Sequence, residues 1–156
     1  MRGGWSAGIE GSALRFRPPA AAALEAVPLA APGECRFGET QIVARIADAQ
    51  DGFLEAFLRS KSPRQEAFDL AAVRTPLSVG PARRGERLRP LGAPGGRKVS
   101  DLLADLKVPR ADRGSIPVVR DAAGTVLWVA GLRRDHESRV TPSTKTALIL
   151  EAIAPC

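Results

Sequence analysis

The chain has 156 residues, 44% apolar and 26% charged, with 13 prolines and 15 glycines. That composition suits one ordinary globular domain or two small ones and argues against a helical bundle. Its 23 Lys and Arg against 17 Asp and Glu leave a net charge of +6; no apolar run approaches the ~20 residues that span a bilayer, and the start Met1-Arg2-Gly3-Gly4-Trp5 leads into no signal-peptide stretch, so no membrane is expected and the cytoplasm is the expected compartment.

Residues 1–34 are rich in turn formers. Leu14-Arg15-Phe16-Arg17 alternates apolar and basic side chains, as a half-exposed strand does, and Pro18-Pro19 ends it. Ala20 to Ala26 suits one or two helical turns, and Gly33 and Gly38 bracket a short run at Cys35 to Phe37. Thr40 to Ile46 predicts a strand with Ile42, Ala44 and Ile46 on one face. Between Asp48 and Pro63, Phe53/Phe57 and Leu54/Leu58 recur at a spacing of four, which predicts a short amphipathic helix. Glu66 to Val73 reads as a further helical turn or two before Pro76.

From Leu77 the signals sharpen. Leu77-Ser78-Val79 predicts a strand, followed by the basic segment Arg83 to Gly92 (RRGERLRPLG) and a glycine-rich loop, Gly92 to Gly96. A helix follows, with Ser100 as its N-cap and Val99, Leu102, Leu103 and Leu106 on one face. Asp101 and Asp105 fall on the opposite, wet face, and Pro109 ends the helix. Pro117 to Arg120 and Thr125 to Ala130 flank the loop Asp121 to Gly124 as a hairpin should, and Lys145 to Leu150 is the last predicted strand. The sum is an α+β fold: one or two small β-rich domains with a short amphipathic helix and a C-terminal hairpin.

Charge is unevenly spread. Residues 1–76 carry nine basic and nine acidic side chains, whereas residues 77–156 carry fourteen and eight, so the whole excess lies in the second half. Such a concentration of arginine points to a polyanion, because guanidinium groups pair bidentately with phosphate. Its ordinary alternative is a solvated, soluble surface.

Few groups suggest bond-making chemistry. Gly92 to Ser100 (GAPGGRKVS) resembles a phosphate loop, yet Arg97 separates Gly96 from Lys98 and Val99 stands where a Ser or Thr must bind magnesium, so the Walker pattern fails. Glycines and two cations before a helix still favour an anion in general terms. Cys35 and Cys156 have no partners for a disulfide or metal role, and the single histidine, His136, sits in the polar loop Arg134 to Glu137. Trp128 lies in the apolar run Val126 to Val129 and is expected in the core. Aromatics at 4% are too few for a base-stacking platform, which leaves recognition of backbone and shape in duplex or folded RNA.

The stretch from Arg83 onward resembles the C-terminal domain of bacterial tRNA(Ile)-lysidine synthetase. Arg84, Gly85, Arg87, Arg89 to Gly92, Lys98, Asp105, Lys107 to Pro109 and Arg113 follow that family's pattern, as do Leu127-Trp128-Val129, Gly131, Arg133, Val140-Thr141 and Thr144-Lys145. Glu86 stands where the family usually has Asp. The likeness is specific over about residues 66–151, and residues 1–65 resemble a linker-like β-rich segment. It implies a fold shared with a tRNA synthetase β-subunit domain.

It also implies a part in a two-step, ATP-dependent ligation, in which a wobble cytidine of an isoleucine tRNA is adenylated and then joined to lysine. That chemistry, with its ATP and magnesium, belongs to an N-terminal domain with an S-G-G-x-D-S loop, a motif this sequence lacks. The chain is therefore expected to hold no cofactor or catalytic residue and to be inactive alone, as a truncated product, a fragment or one half of a split enzyme. A separately encoded catalytic domain and a homodimer are both compatible with this reading. The expected partner is tRNA, and the candidate phosphate-binding groups are Arg83, Arg84, Arg87, Arg89, Arg97, Lys98, Lys107, Arg110 and Arg113, extended by Arg133, Arg134 and Arg139. About half of them are expected to touch RNA, with Arg89 or Arg113 lost to internal salt bridges. The competing expectation is a structural or dimerisation module that binds no RNA.

Overall fold

A computed structural model describes residues 6–10, 13–17 and 24–154. Trp5, Pro18-Pro19, Ala20 to Ala23 and Cys156 lie outside them. Near the start, β1 (Ser6–Glu10) pairs antiparallel with β2 (Ala13–Arg17), Ser6 opposite Arg17 and Glu10 opposite Ala13, so the alternating run at 14–17 is a strand. Leu24 to Ala26 are not helical.

Two antiparallel sheets carry the body. Five strands, β3 (Val27–Leu29), β7 (Leu77–Gly80), β10 (Val118–Arg120), β11 (Val126–Val129) and β12 (Arg133–Arg134), run in the order β12-β11-β10-β7-β3. Four more, β4 (Gly33–Phe37), β5 (Thr40–Asp48), β6 (Gln65–Asp69) and β13 (Thr146–Ile153), run in the order β4-β5-β13-β6. The sheets share one core: Leu29, Leu77, Val79, Val119, Leu127 and Trp128 meet Phe37, Ile42, Ala44, Phe68, Leu148 and Leu150. Trp128 is 1% exposed, so the indole is a packing element, as its apolar neighbours predict.

Period-two alternation then assigns the outer faces. Ala67, Ala147 and Ile149 turn away from the sandwich and meet Phe53 and Phe57 of α1 (Phe53–Ser60), whose rings stack with centroids 5.9 Å apart. On the other side Val118, Val126 and Val129 meet Leu88, Val99, Leu102 and Leu103, which puts α2 (Val99–Asp105) over the five-stranded sheet. The chain is thus layered helix, sheet, sheet, helix, an α+β arrangement. Ile42 and Ala44 are buried while Ile46, on the same face, is 40% exposed near the end of β5. Among the described residues no helix is long and apolar enough to cross a membrane.

Two expectations of local structure change in this part of the chain. Glu66 to Val73 is not helical: Gln65–Asp69 forms β6, because Phe68 and Ala67 each find a core on opposite sides and β13 supplies the ladder. Only Leu70–Ala72 turns as a 3-10 helix, with the Asp69 carboxylate accepting from the Ala71 amide at 3.0 Å. Lys98, not Ser100, occupies the N-cap of α2 and makes no side-chain cap; the helix starts early because the Val99 amide donates to the Glu86 carbonyl at 2.8 Å. The expected division at 65/66 falls after α1, at the start of β6; β5 and β6 both pair with β13.

Candidate nucleic-acid interface

The basic segment is built as a turn and a short hairpin. The Glu86 amide donates to the Arg83 carbonyl at 3.1 Å, closing a four-residue turn with Arg84 at its tip. Gly85, third in the turn, has φ 78°, the left-handed conformation that a type II turn requires there and that glycine adopts without strain. Beyond it β8 (Arg87–Leu88) pairs with β9 (Arg97–Lys98), Arg87 opposite Lys98 and Leu88 opposite Arg97. Alternation sends Glu86 and Leu88 inward and Arg87 outward, where Arg87 also donates to the Gly96 carbonyl at 3.0 Å.

What Glu86 meets inside is Arg120, the last residue of β10 and 1% exposed. Nε and Nη2 of Arg120 reach the two Glu86 carboxylate oxygens at 2.5 and 2.6 Å, and Nη2 also donates to the Pro81 carbonyl at 2.6 Å. The same carboxylate accepts from the Arg83 amide at 2.9 Å. Desolvation works against the Glu86 charge, but these hydrogen bonds outweigh it and hold the carboxyl below its ordinary pKa. Neither residue was a candidate from sequence. A signal was nonetheless present, since an arginine inside an apolar hairpin strand has to find a buried counter-charge.

The twelve candidate cations separate by what holds them. Arg83, Arg84, Arg87 and Lys98 gather on the turn and hairpin, all exposed. Lys107 and Arg110 are exposed beyond the C-terminal end of α2, where Lys107 takes φ 62°. Seven residues of helix, roughly 10 Å at the usual rise, separate the two groups. Arg97 is exposed but pairs with Asp105 at 2.6 Å, and Arg89 pairs with Glu137 at 3.1 Å while its Nε donates to the Ala93 carbonyl. Arg113 is half-buried and donates to the Val108 carbonyl at 3.0 Å. Arg133 and Arg139 are exposed, each donating to a nearby carbonyl.

Arg134 is placed differently from the other eleven. Its guanidinium is buried, donates to the Ala67 and Asp135 carbonyls and lies with Cζ 4.3 Å from the centroid of the Phe68 ring. It is an internal fastener. Loop 89–93 is tied to loop 134–137 nearby: the His136 amide donates to the Arg89 carbonyl at 2.8 Å, and the Gly92 amide donates to His136 Nδ1 at 3.0 Å. Desolvation, then the charges of Arg139 and Arg89, push the imidazole pKa below its ordinary value.

An outward set of cations on a turn braced from within is suited to phosphate. It offers charge and shape, and little for reading base edges. Residues 77–150 match the family model described as the TilS substrate C-terminal domain. The tRNA(Ile)-lysidine synthase of Symbiobacterium thermophilum is 35% identical over 132 residues, which covers 83% of this chain and 26% of that protein. That of Geobacillus kaustophilus is 38% identical over 78 residues, 46% of this chain and 17% of that protein. The chain therefore spans about a quarter or less of these relatives. Among solved structures, a TilS C-terminal domain crystal structure superposes with a TM-score of 0.71 at 24% identity, covering 85% of this chain and 99% of that one. An N-terminal fragment of the Pyrococcus horikoshii phenylalanyl-tRNA synthetase β-subunit gives 0.57 at 20% identity, covering 71% and 38%. Both share the fold.

Proposed function

We propose that this chain, whose residues 77–150 match the model of the TilS substrate C-terminal domain family, is the tRNA-gripping portion of a tRNA(Ile)-lysidine synthase. In this reading it holds folded tRNA by its phosphates, in the cytoplasm. An ATP-pyrophosphatase domain, using ATP and magnesium, adds lysine to the wobble cytidine of the isoleucine tRNA. The observation that carries the reading is the braced turn: Arg83, Arg84, Arg87 and Lys98 stand outward together, with no carboxylate in ion-pair distance among the described residues.

The chain's own groups act by position. Each Lys or Arg that neutralises a phosphate releases counterions condensed on the RNA, so affinity falls with salt, while the fixed spacing of turn, hairpin and α2 end supplies selection by shape. A filter-binding titration with tRNA, against an unstructured polyanion of equal charge, tests this. Preferred binding of tRNA that weakens steeply with KCl is the expected result. The competing reading, a contact module that binds no RNA, draws on the exposed Leu54 and Leu58 of α1 and on Leu91 beside them; weak binding that is flat in salt would favour it.

A further inference from the structure

We infer that Glu86 and Arg120 form a positioning clamp, which sets the cationic turn 83–87 for phosphate contact without touching the RNA. The inference rests on the RNA-binding reading and adds to it the device that orients the site.

A carboxylate in the middle of a basic segment opposes polyanion binding if it stands free. Glu86 does not. Its side chain is 10% exposed and that of Arg120 is 1% exposed, and the bidentate pair sums to no charge. What it contributes is connection. Through one residue, β10 is joined to the Arg83 amide by the carboxylate, to the Arg83 carbonyl by the backbone amide, and to the first residue of α2 by the Glu86 carbonyl.

Direction follows from the same contacts. Because consecutive strand residues point to opposite sides, drawing Glu86 inward obliges Arg87 to face outward, beside Lys98 across the hairpin. Arg84 stays at the tip because Arg83 is held at both its amide and its carbonyl. A buried ion pair contributes little net stability compared with apolar side chains of similar size, and what this one fixes is the geometry of the turn it is bonded to. Here that geometry is the outward face of the turn.

Two variants separate positioning from charge. Glu86→Leu with Arg120→Met removes one negative and one positive group, so net charge is unchanged, and apolar replacement of both partners preserves the fold. If charge alone governs binding, tRNA affinity stays at the wild-type level. The clamp predicts affinity lower by about tenfold or more and a salt slope shallower by roughly one to two contacts. Glu86→Gln gives opposite signs: charge alone predicts tighter binding, because a negative group is lost, and the clamp predicts weaker binding. This single variant decides the matter if the double variant unfolds, and near-ultraviolet circular dichroism monitors the fold of each. A folded variant with wild-type affinity and slope overturns the clamp. Failure of the wild-type chain to bind tRNA overturns the function reading itself, so the two failures are distinct.

Discussion

The salt dependence of tRNA binding is worked directly from the placement of charge. Arg83, Arg84, Arg87, Lys98, Lys107 and Arg110 are exposed and have no carboxylate in ion-pair distance among the described residues, whereas Arg89 and Arg97 face Glu137 and Asp105. At roughly −0.7 to −0.9 per phosphate neutralised, six contacts give a log–log slope of about −4 to −5. Raising KCl from about 50 to about 200 mM should then weaken binding by roughly two and a half to three decades. Substituting Arg84→Ala together with Arg87→Ala should lower the slope by about 1.5 to 2 and weaken binding at every salt concentration. Labelled tRNA titrated on nitrocellulose filters across a KCl series measures both quantities. A wild-type slope shallower than about −2, or a double variant that keeps the wild-type slope, refutes the assignment. A slope near −8 or steeper would instead bring the paired arginines onto the RNA.

Two further outcomes follow from residues beside the interface. Arg134→Met should cost about 2–3 kcal/mol, because the Ala67 and Asp135 carbonyls lose a charged donor, while tRNA affinity stays near wild type; urea unfolding and the filter assay read the two, and lost affinity at unchanged stability would move Arg134 to the surface. The imidazole of His136, the single histidine, should titrate below its ordinary value in an NMR pH series. Since its folded pKa is depressed, the His136–Gly92 contact is present above the unfolded pKa of about 6.5 and is lost as pH falls through the folded pKa; a midpoint at or above 6.5 contradicts this.

Much of the second half was readable because its signals are local. The helix face Val99, Leu102 and Leu103, the loop Asp121 to Gly124 and the strand at Leu77 need only neighbours a few residues away, and all three form. Glu66 to Val73 reads as helical from sequence because the partner of β6 lies about eighty residues on: without β13 in view, Ala67, Leu70 and Ala71 fit a helical spacing as readily as Phe68 and Leu70 fit a strand. The site divided along the same line. Runs of arginine mark a basic surface, yet Arg133 and Arg134 look alike in the sequence. The pleat of β12 turns the first to solvent and the second onto Phe68. Glu86 appeared only as a departure from a motif, since Arg120, its counterpart, is reached through the tertiary fold.

The last strand of the body, β13, is not at an edge but between β5 and β6. Ribosomal synthesis at about 5–20 residues per second therefore delivers β5 roughly a hundred residues before the strand that must be inserted beside it. Until then two rows of backbone donors and acceptors wait uncovered, open to pairing with a neighbouring nascent chain. Closure demands contacts distant along the polypeptide, which slows folding. Release of residues 146–153 is thus the event that makes the sheet whole, and a chain stalled short of it is left with an open slot that a chaperone would have to guard.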